Sequence, residues 1–206
     1  MRQLRVTGHP GKLLGELLVE NPWLFYPLRD AKDIPATVGQ HQGAALALLA
    51  RQYNRRGAQI CNIGTSYGYS TALLARGAPH AHVVTLEPKA GKIDAALIFL
   101  AMFRNVEIVP MCSWDYLEEH MDTAWDLVFI DGCHIEIERD MPWFNRVQIG
   151  GLFMSHDYIP DRFPMVVDAL NHLRDHLGRP FDVSMICSRN RGMVGFYRQK
   201  GEYCYE

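Results

Sequence analysis

No apolar run in this 206-residue chain approaches the roughly 20 residues needed to cross a bilayer. A membrane-spanning role is therefore not expected. The first residues, MRQLRVTGHPGK, also lack the apolar stretch of a secretory signal. Cysteine is scarce: Cys61, Cys112, Cys133, Cys187 and Cys204 are scattered and form no C-x-x-C pair. An odd, dispersed set reads as free thiols in a reducing compartment, so a cytoplasmic location is expected. Charge of one sign is not in excess. With 21 Lys and Arg against 23 Asp and Glu, the formal net charge is -2. No global basic field exists to hold a polyanion, so nucleic acid is not an expected partner. Arg51, Arg55 and Arg56 make a local basic spot that reads as a solvated helix end. No internal repeat, low-complexity segment or linker is evident.

What is present is an ordinary globular composition, 48% hydrophobic and 21% charged. It supports a main domain over residues 41–206 and an N-terminal segment over residues 1–40. That segment fits the core pattern worst. Residues 12–19 read as a short helix with Leu13, Leu14, Leu17 and Leu18 on one face, and Trp23 to Pro27 are aromatic but unperiodic. Two readings stand open for it: a segment packed on the domain, or a lid that lends aromatic walls to a pocket.

From residue 40 the chain alternates. An Ala/Leu-rich helix over 40–53 is stopped near Gly57. Strands are expected at 58–63, 82–86, 106–110, 125–130 and 149–155. Helices are expected at about 69–76, 90–103, 114–120, 135–146 and 164–177. Two closing strands fall near 181–187 and 192–198, joined by too short a turn for a crossover helix, so they should pair antiparallel. Runs such as VVTL and DLVFI do not alternate with polar residues, as in strands buried on both faces. Repeated βα units call for a parallel sheet covered by helices. The expected fold is α/β: a Rossmann-like three-layer sandwich, its seven-stranded sheet mostly parallel with an antiparallel last strand.

The stretch from Ala58 to Pro88 organises the rest. An apolar strand runs into Gly64-Thr65-Ser66-Tyr67-Gly68, a helix opens near Ser70, and a second strand ends in Glu87. Glycines let backbone approach a ligand where a Cβ would clash. The helix start turns free N–H groups toward that ligand. Glu87 lies 19 positions beyond Gly68, near the roughly 20 expected for a ribose-binding acid. The dinucleotide fingerprint G-x-G-x-x-G is absent, because three residues separate the two glycines and no third follows.

Asn62-Ile63-Gly64-x-x-x-Gly68-Tyr69-Ser70 resembles motif I of class I S-adenosylmethionine-dependent methyltransferases. Downstream, Ile130-Asp131-Gly132-Cys133-His134 and Gly150-Gly151-Leu152-Phe153-Met154-Ser155-His156-Asp157 are similar to the IDG-x-H and GG-(apolar)-HD motifs of small-molecule O-methyltransferases. The branch is the macrocin and cephalosporin type and, more distantly, the catechol type. The likeness runs from about Gln40 to Tyr158. It implies S-adenosylmethionine as cofactor, a small-molecule hydroxyl as acceptor, and a divalent metal, Mg²⁺ in the family, as a further cofactor in some members. A homo-oligomer is left open.

Ligands of open parallel sheets bind beyond the carboxyl ends of the strands. That rule, with the resemblance, selects Asn62, Gly64, Thr65, Ser66, Gly68, Ser70, Glu87, Ser113, Trp114 and Asp131 for the cofactor. Glu87 is expected on the ribose hydroxyls, with a plain loop acid as the alternative. Ser113 and Trp114 fall where the family places adenine contacts, and a helix cap beside a core Trp is the alternative. Asn62 stands where an acid is common in motif I, which removes charge attraction to the cofactor ammonium. In the family, the helix before the first strand closes one side of the pocket. Gln40 or Gln42 could reach cofactor there, or simply face solvent.

Asp131, His156 and Asp157 are the expected metal set. The chain departs from its relatives here. Tyr158 stands where the catechol branch has Asn, and His156 where others have an acid. Imidazole suits zinc, iron or nickel better than Mg²⁺. Catalysis is assigned to His134, His156 and Asp131, with either histidine as a metal-free general base. His134 could instead only cap a helix. Two further readings stand: a nicotinamide-dependent oxidoreductase, and a non-catalytic nucleoside-binding module of the same fold.

Overall fold

The computed structural model describes residues 38–188 and 191–204. The expected lid, apart from its last three residues, lies outside the described residues. In chain order the elements are helix α1 (Gln40–Arg51), strand β1 (Gln59–Ile63), α2 (Tyr69–Gly77), β2 (His82–Leu86), α3 (Ala90–Leu100) and β3 (Val106–Val109). Then follow α4 (Ser113–Glu119), β4 (Trp125–Ile130), a 3₁₀ stretch (His134–Arg146), β5 (Val147–His156), α5 (Pro164–Leu177), β6 (Val183–Ser188) and β7 (Arg191–Tyr197).

The seven strands form one sheet in the order β3-β2-β1-β4-β5-β7-β6. The first five in that order are parallel, and β7 runs antiparallel to both β5 and β6. The chain steps outward from β1 to β3, then returns to the far side of β1 as β4. The reversal opens a crevice between β1 and β4 at their carboxyl ends, where such sheets hold ligands.

Every residue of β4 is buried, and all but the first of β1 and β2. Successive side chains alternate between two apolar layers. One layer takes Ile60, Val83, Leu127 and Phe129 and packs against α1 and α2. The other takes Cys61, Val84, Val128 and Phe153 and packs under Trp143, Phe144 and α5. Helices α1 and α2 approach so closely that a Cβ on Gly77 would stand 2.2 Å from the Ala47 carbonyl oxygen.

The expected elements are present, with corrections. The span 135–146 is not an α-helix but a 3₁₀ stretch broken at Glu136, with Pro142 inside it. Proline lacks the N–H an α-helix needs and crowds the preceding turn. The stretch is held by burial of Ile137, Met141, Trp143 and Phe144. Helix α1 stops at Arg51, α3 stops at Leu100, and β5 is longer than expected at both ends. No helix among the described residues is long and apolar enough to cross a membrane.

Candidate active site

Strand register builds the site. Ile63 pairs with Leu86 on one side and Ile130 on the other, and Ile130 pairs with Ser155. The next residues along are therefore Gly64, Glu87, Asp131 and His156, side by side on one rim.

The turn after β1 needs its glycines. Gly64 (φ 96°) and Gly68 (φ 88°) sit in the left-handed region. A Cβ on Gly64 would meet the Asp131 carbonyl oxygen at 2.3 Å. Ser66, between them, adopts φ 47° without being glycine. Its N–H donates to Glu87 Oε2 at 2.9 Å, which ties the turn to the tip of β2. Glu87 is 4% exposed. Oε1 accepts from the Lys89 N–H at 3.2 Å, and Lys92 Nζ lies 3.8 Å from Oε2.

A cavity of about 180 Å³ opens at this rim. Gly64, Ser66, Glu87, Ser113, Trp114 and Asp140 are among the residues that line it. Cys112, not Ser113, caps α4. Ser113 instead donates its hydroxyl hydrogen to Asp140. Burial pushes the Asp140 carboxyl up to about 6, against the Ser113 hydrogen bond and Arg139, which act to lower it. One face of Trp114 is covered by the Arg139 guanidinium, 3.7 Å from the ring centroid.

Beside the cavity lies a cluster of acids and histidines. His156 Nδ1 is 3.1 Å from Asp157 Oδ1 and 3.4 Å from Asp131 Oδ1. His134 Nε2 is 2.8 Å from Asp157 Oδ2. These are ion-pair distances without hydrogen-bond alignment, so His156 Nδ1 is buried and has no hydrogen bond. His156 Nε2 lies 3.2 Å from Gln42 Oε1 on α1. Burial alone would depress the His156 pKa, but Asp131 and Asp157 outweigh it and hold it near 9. Burial would likewise raise Asp157, yet the two histidines hold it well below the usual carboxylate range. Asp157 itself adopts φ 56°, a backbone cost localised at the cluster. The His134 ring lies against Phe163, centroids 4.1 Å apart.

Residues 61–158 match a protein-family model described as a methyltransferase domain. The chain is similar to methyltransferases over that stretch. It is 38% identical over 135 residues to the catechol O-methyltransferase of Mycobacterium tuberculosis, an alignment spanning 63% of this chain and 60% of that protein. The chain thus spans under two thirds of that relative's length. Among solved structures, cofactor-bound Rv0187 from MTB superposes with a TM-score of 0.69 at 25% identity, covering 94% of this chain and 99% of that one. The O-methyltransferase from Bacillus cereus, in complex with SAH, gives 0.65 at 23% identity, covering 93% and 91%. That second likeness is one of fold.

Around this rim the predicted residues divide. Gly64, Ser66, Glu87, Ser113, Trp114 and Asp131 line the cavity. Asn62, Thr65, Gly68 and Ser70 do not. Asn62 is fully buried behind the turn, its Nδ2 within reach of the Gly64 carbonyl, Thr71 and Thr85. Thr65 and Thr71 each bond Thr85, so this polar knot braces the turn from beneath. Gly68 caps α2, and Ser70 is buried in its first turn. Asp131, His156 and Asp157 converge, each offering one ligand atom within 4.8 Å of the others. Tyr158 turns away and donates to Asn171 at 2.8 Å.

Asp140 is the residue that sequence reading missed. A signal existed: it shares an inward face with Ile137, Met141 and Phe144. A larger groove of about 880 Å³, lined by Arg51, Arg76 and Arg104, lies at the amino ends of the strands. Parallel sheets do not place their ligands there.

Proposed function

We propose that this protein transfers the methyl group of S-adenosylmethionine to a hydroxyl oxygen of a small molecule. One observation carries the reading: strand register sets the glycine turn, Glu87 and the His–Asp cluster on a single rim. The ribose hydroxyls donate to Glu87, and the base lies toward Ser113 and Asp140. The cavity is below the roughly 300–1,000 Å³ of a whole-ligand pocket. It therefore takes the nucleoside end and leaves the methyl group near Asp131.

The Asp157 carboxylate lies 2.8 Å from His134 Nε2, which places the ring and leaves Nδ1 as the base. As the acceptor oxygen attacks the methyl carbon, the carbon–sulfur bond breaks and S-adenosylhomocysteine departs. The hydroxyl proton passes to His134 Nδ1. In-line alignment of oxygen, carbon and sulfur supplies most of the acceleration. Phe163 walls the acceptor side. His156 is buried with Nδ1 facing two carboxylates and Nε2 against Gln42, so it serves the cluster rather than the proton.

The donor set fits a divalent cation, since His156 Nδ1 is a buried nitrogen with no hydrogen bond, facing two carboxylates. Asp131, His156 and Asp157 would hold the ion. One imidazole and two carboxylates favour zinc, iron or nickel over Mg²⁺. Such an ion supplies Lewis acidity toward the acceptor hydroxyl.

Titration calorimetry with S-adenosylmethionine and S-adenosylhomocysteine tests the cofactor. Absence of binding to both, with folded protein, defeats the proposal. The acceptor panel starts with catechols, following the relative's name, and continues through other phenols and sugars. His134→Gln should lower kcat by about 10²- to 10⁴-fold while cofactor affinity holds. Cofactor binding with no transfer to any acceptor would favour the non-catalytic module.

A further inference from the structure

We infer that Gln42 is a positioning residue that holds His156 with hydrogen on Nε2, so that Nδ1 is presented to a cation between Asp131 and Asp157. The inference rests on the metal reading above.

Gln42 is 1% exposed and His156 3%. Their polar atoms meet at 3.2 Å, across 114 positions of sequence. Asp131 and Asp157 lie at Nδ1, and Phe129, edge-on to the ring at 6.4 Å, offers no polar atom. When Nδ1 binds a metal ion as a neutral imidazole, Nε2 must carry hydrogen. Only an acceptor facing it satisfies that hydrogen, and the amide oxygen of Gln42 is one. The Gln42 Nε2 has no partner among the described residues, so none of them turns the amide oxygen away from His156. With hydrogen on Nε2, the amide turned the other way would set two donors against each other.

The amide cannot easily withdraw. Its neighbour Gly43 sits so near α2 that a Cβ there would stand 2.8 Å from the Leu73 side chain. Helix α1 is therefore a fixed post. A ligating histidine whose second ring nitrogen donates to a fixed acceptor is oriented and made more basic. Helix α1 thereby takes part in a site built otherwise from the ends of β4 and β5.

The test uses the full chain titrated with Mn²⁺ and Zn²⁺ alone. The wild type should bind one ion. Gln42→Met, of similar volume, should bind 10- to 100-fold more weakly, and Gln42→Glu, which keeps the acceptor, as tightly or better. S-adenosylhomocysteine affinity should stay within about twofold in both, a split that simple loss of structure would not give. Nitrogen-15 NMR of Zn²⁺-loaded wild type should show His156 with hydrogen on Nε2. If the wild type binds neither ion, the metal reading fails and this inference with it. If the wild type binds and Gln42→Met binds equally well, the metal reading stands and Gln42 loses its role. Hydrogen found on Nδ1 overturns the inference even if the Met variant does not fold.

Discussion

Glu87 is tied to the turn by one oxygen and to the start of α3 by the other. Glu87→Gln keeps that shape but removes the charge. Hydrogen bonds to charged groups contribute about 1.5–3 kcal/mol, so calorimetry should show S-adenosylhomocysteine affinity falling by about 10- to 100-fold. Asp140 makes a pH prediction. Its folded pKa, about 6, lies above the ordinary 3.8. The folded state therefore prefers the protonated acid. That contribution is complete below about 3.8 and is lost as pH rises through 6, on the order of 3 kcal/mol in all. Urea unfolding of Asp140→Asn should lack this fall between pH 4 and 6, and the variant should be the more stable above it. Glu87 and Asp131 were legible because each follows an apolar strand. Gln42 was not singled out in the sequence, because its partner lies on a strand far along the chain.

Glycines separate strain from slack at the level of elements. A Cβ at Gly77 would strike the α1 backbone, whereas one at Gly91 meets nothing within 4 Å. Gly77→Ala should cost about 1–3 kcal/mol and, by shifting α1, weaken metal binding through Gln42. Gly91→Ala should be neutral or stabilise α3 by up to about 1 kcal/mol. Thermal unfolding of the pair checks both. The βα alternation was readable because strands buried on both faces leave unbroken apolar runs. The stretch after β4 was misread because its apolar spacing imitates an α-helix, while Pro142 and the break at Glu136 forbid one.

At the scale of the whole molecule, a ligand that binds only the folded chain raises its stability. S-adenosylhomocysteine at 100 times its Kd adds about 2.7 kcal/mol. For a chain of this size that is a rise in Tm of about 5–10 °C, measurable by differential scanning calorimetry. The antiparallel closing pair was foreseen from its short connection, but which of the two would sit inside was not, since both read as apolar strands. Strand β7 takes the inner place, between β5 and β6. It also packs directly against the residue after the cluster: a Cβ on Gly192 would lie 2.1 Å from the Tyr158 carbonyl oxygen. During synthesis β5 leaves the ribosome well before β7 exists. Until then the strand bearing His156 has a raw edge, open to mispairing with other nascent chains. Assembly of the reactive rim thus waits on translation of a segment that contributes no reacting group to it.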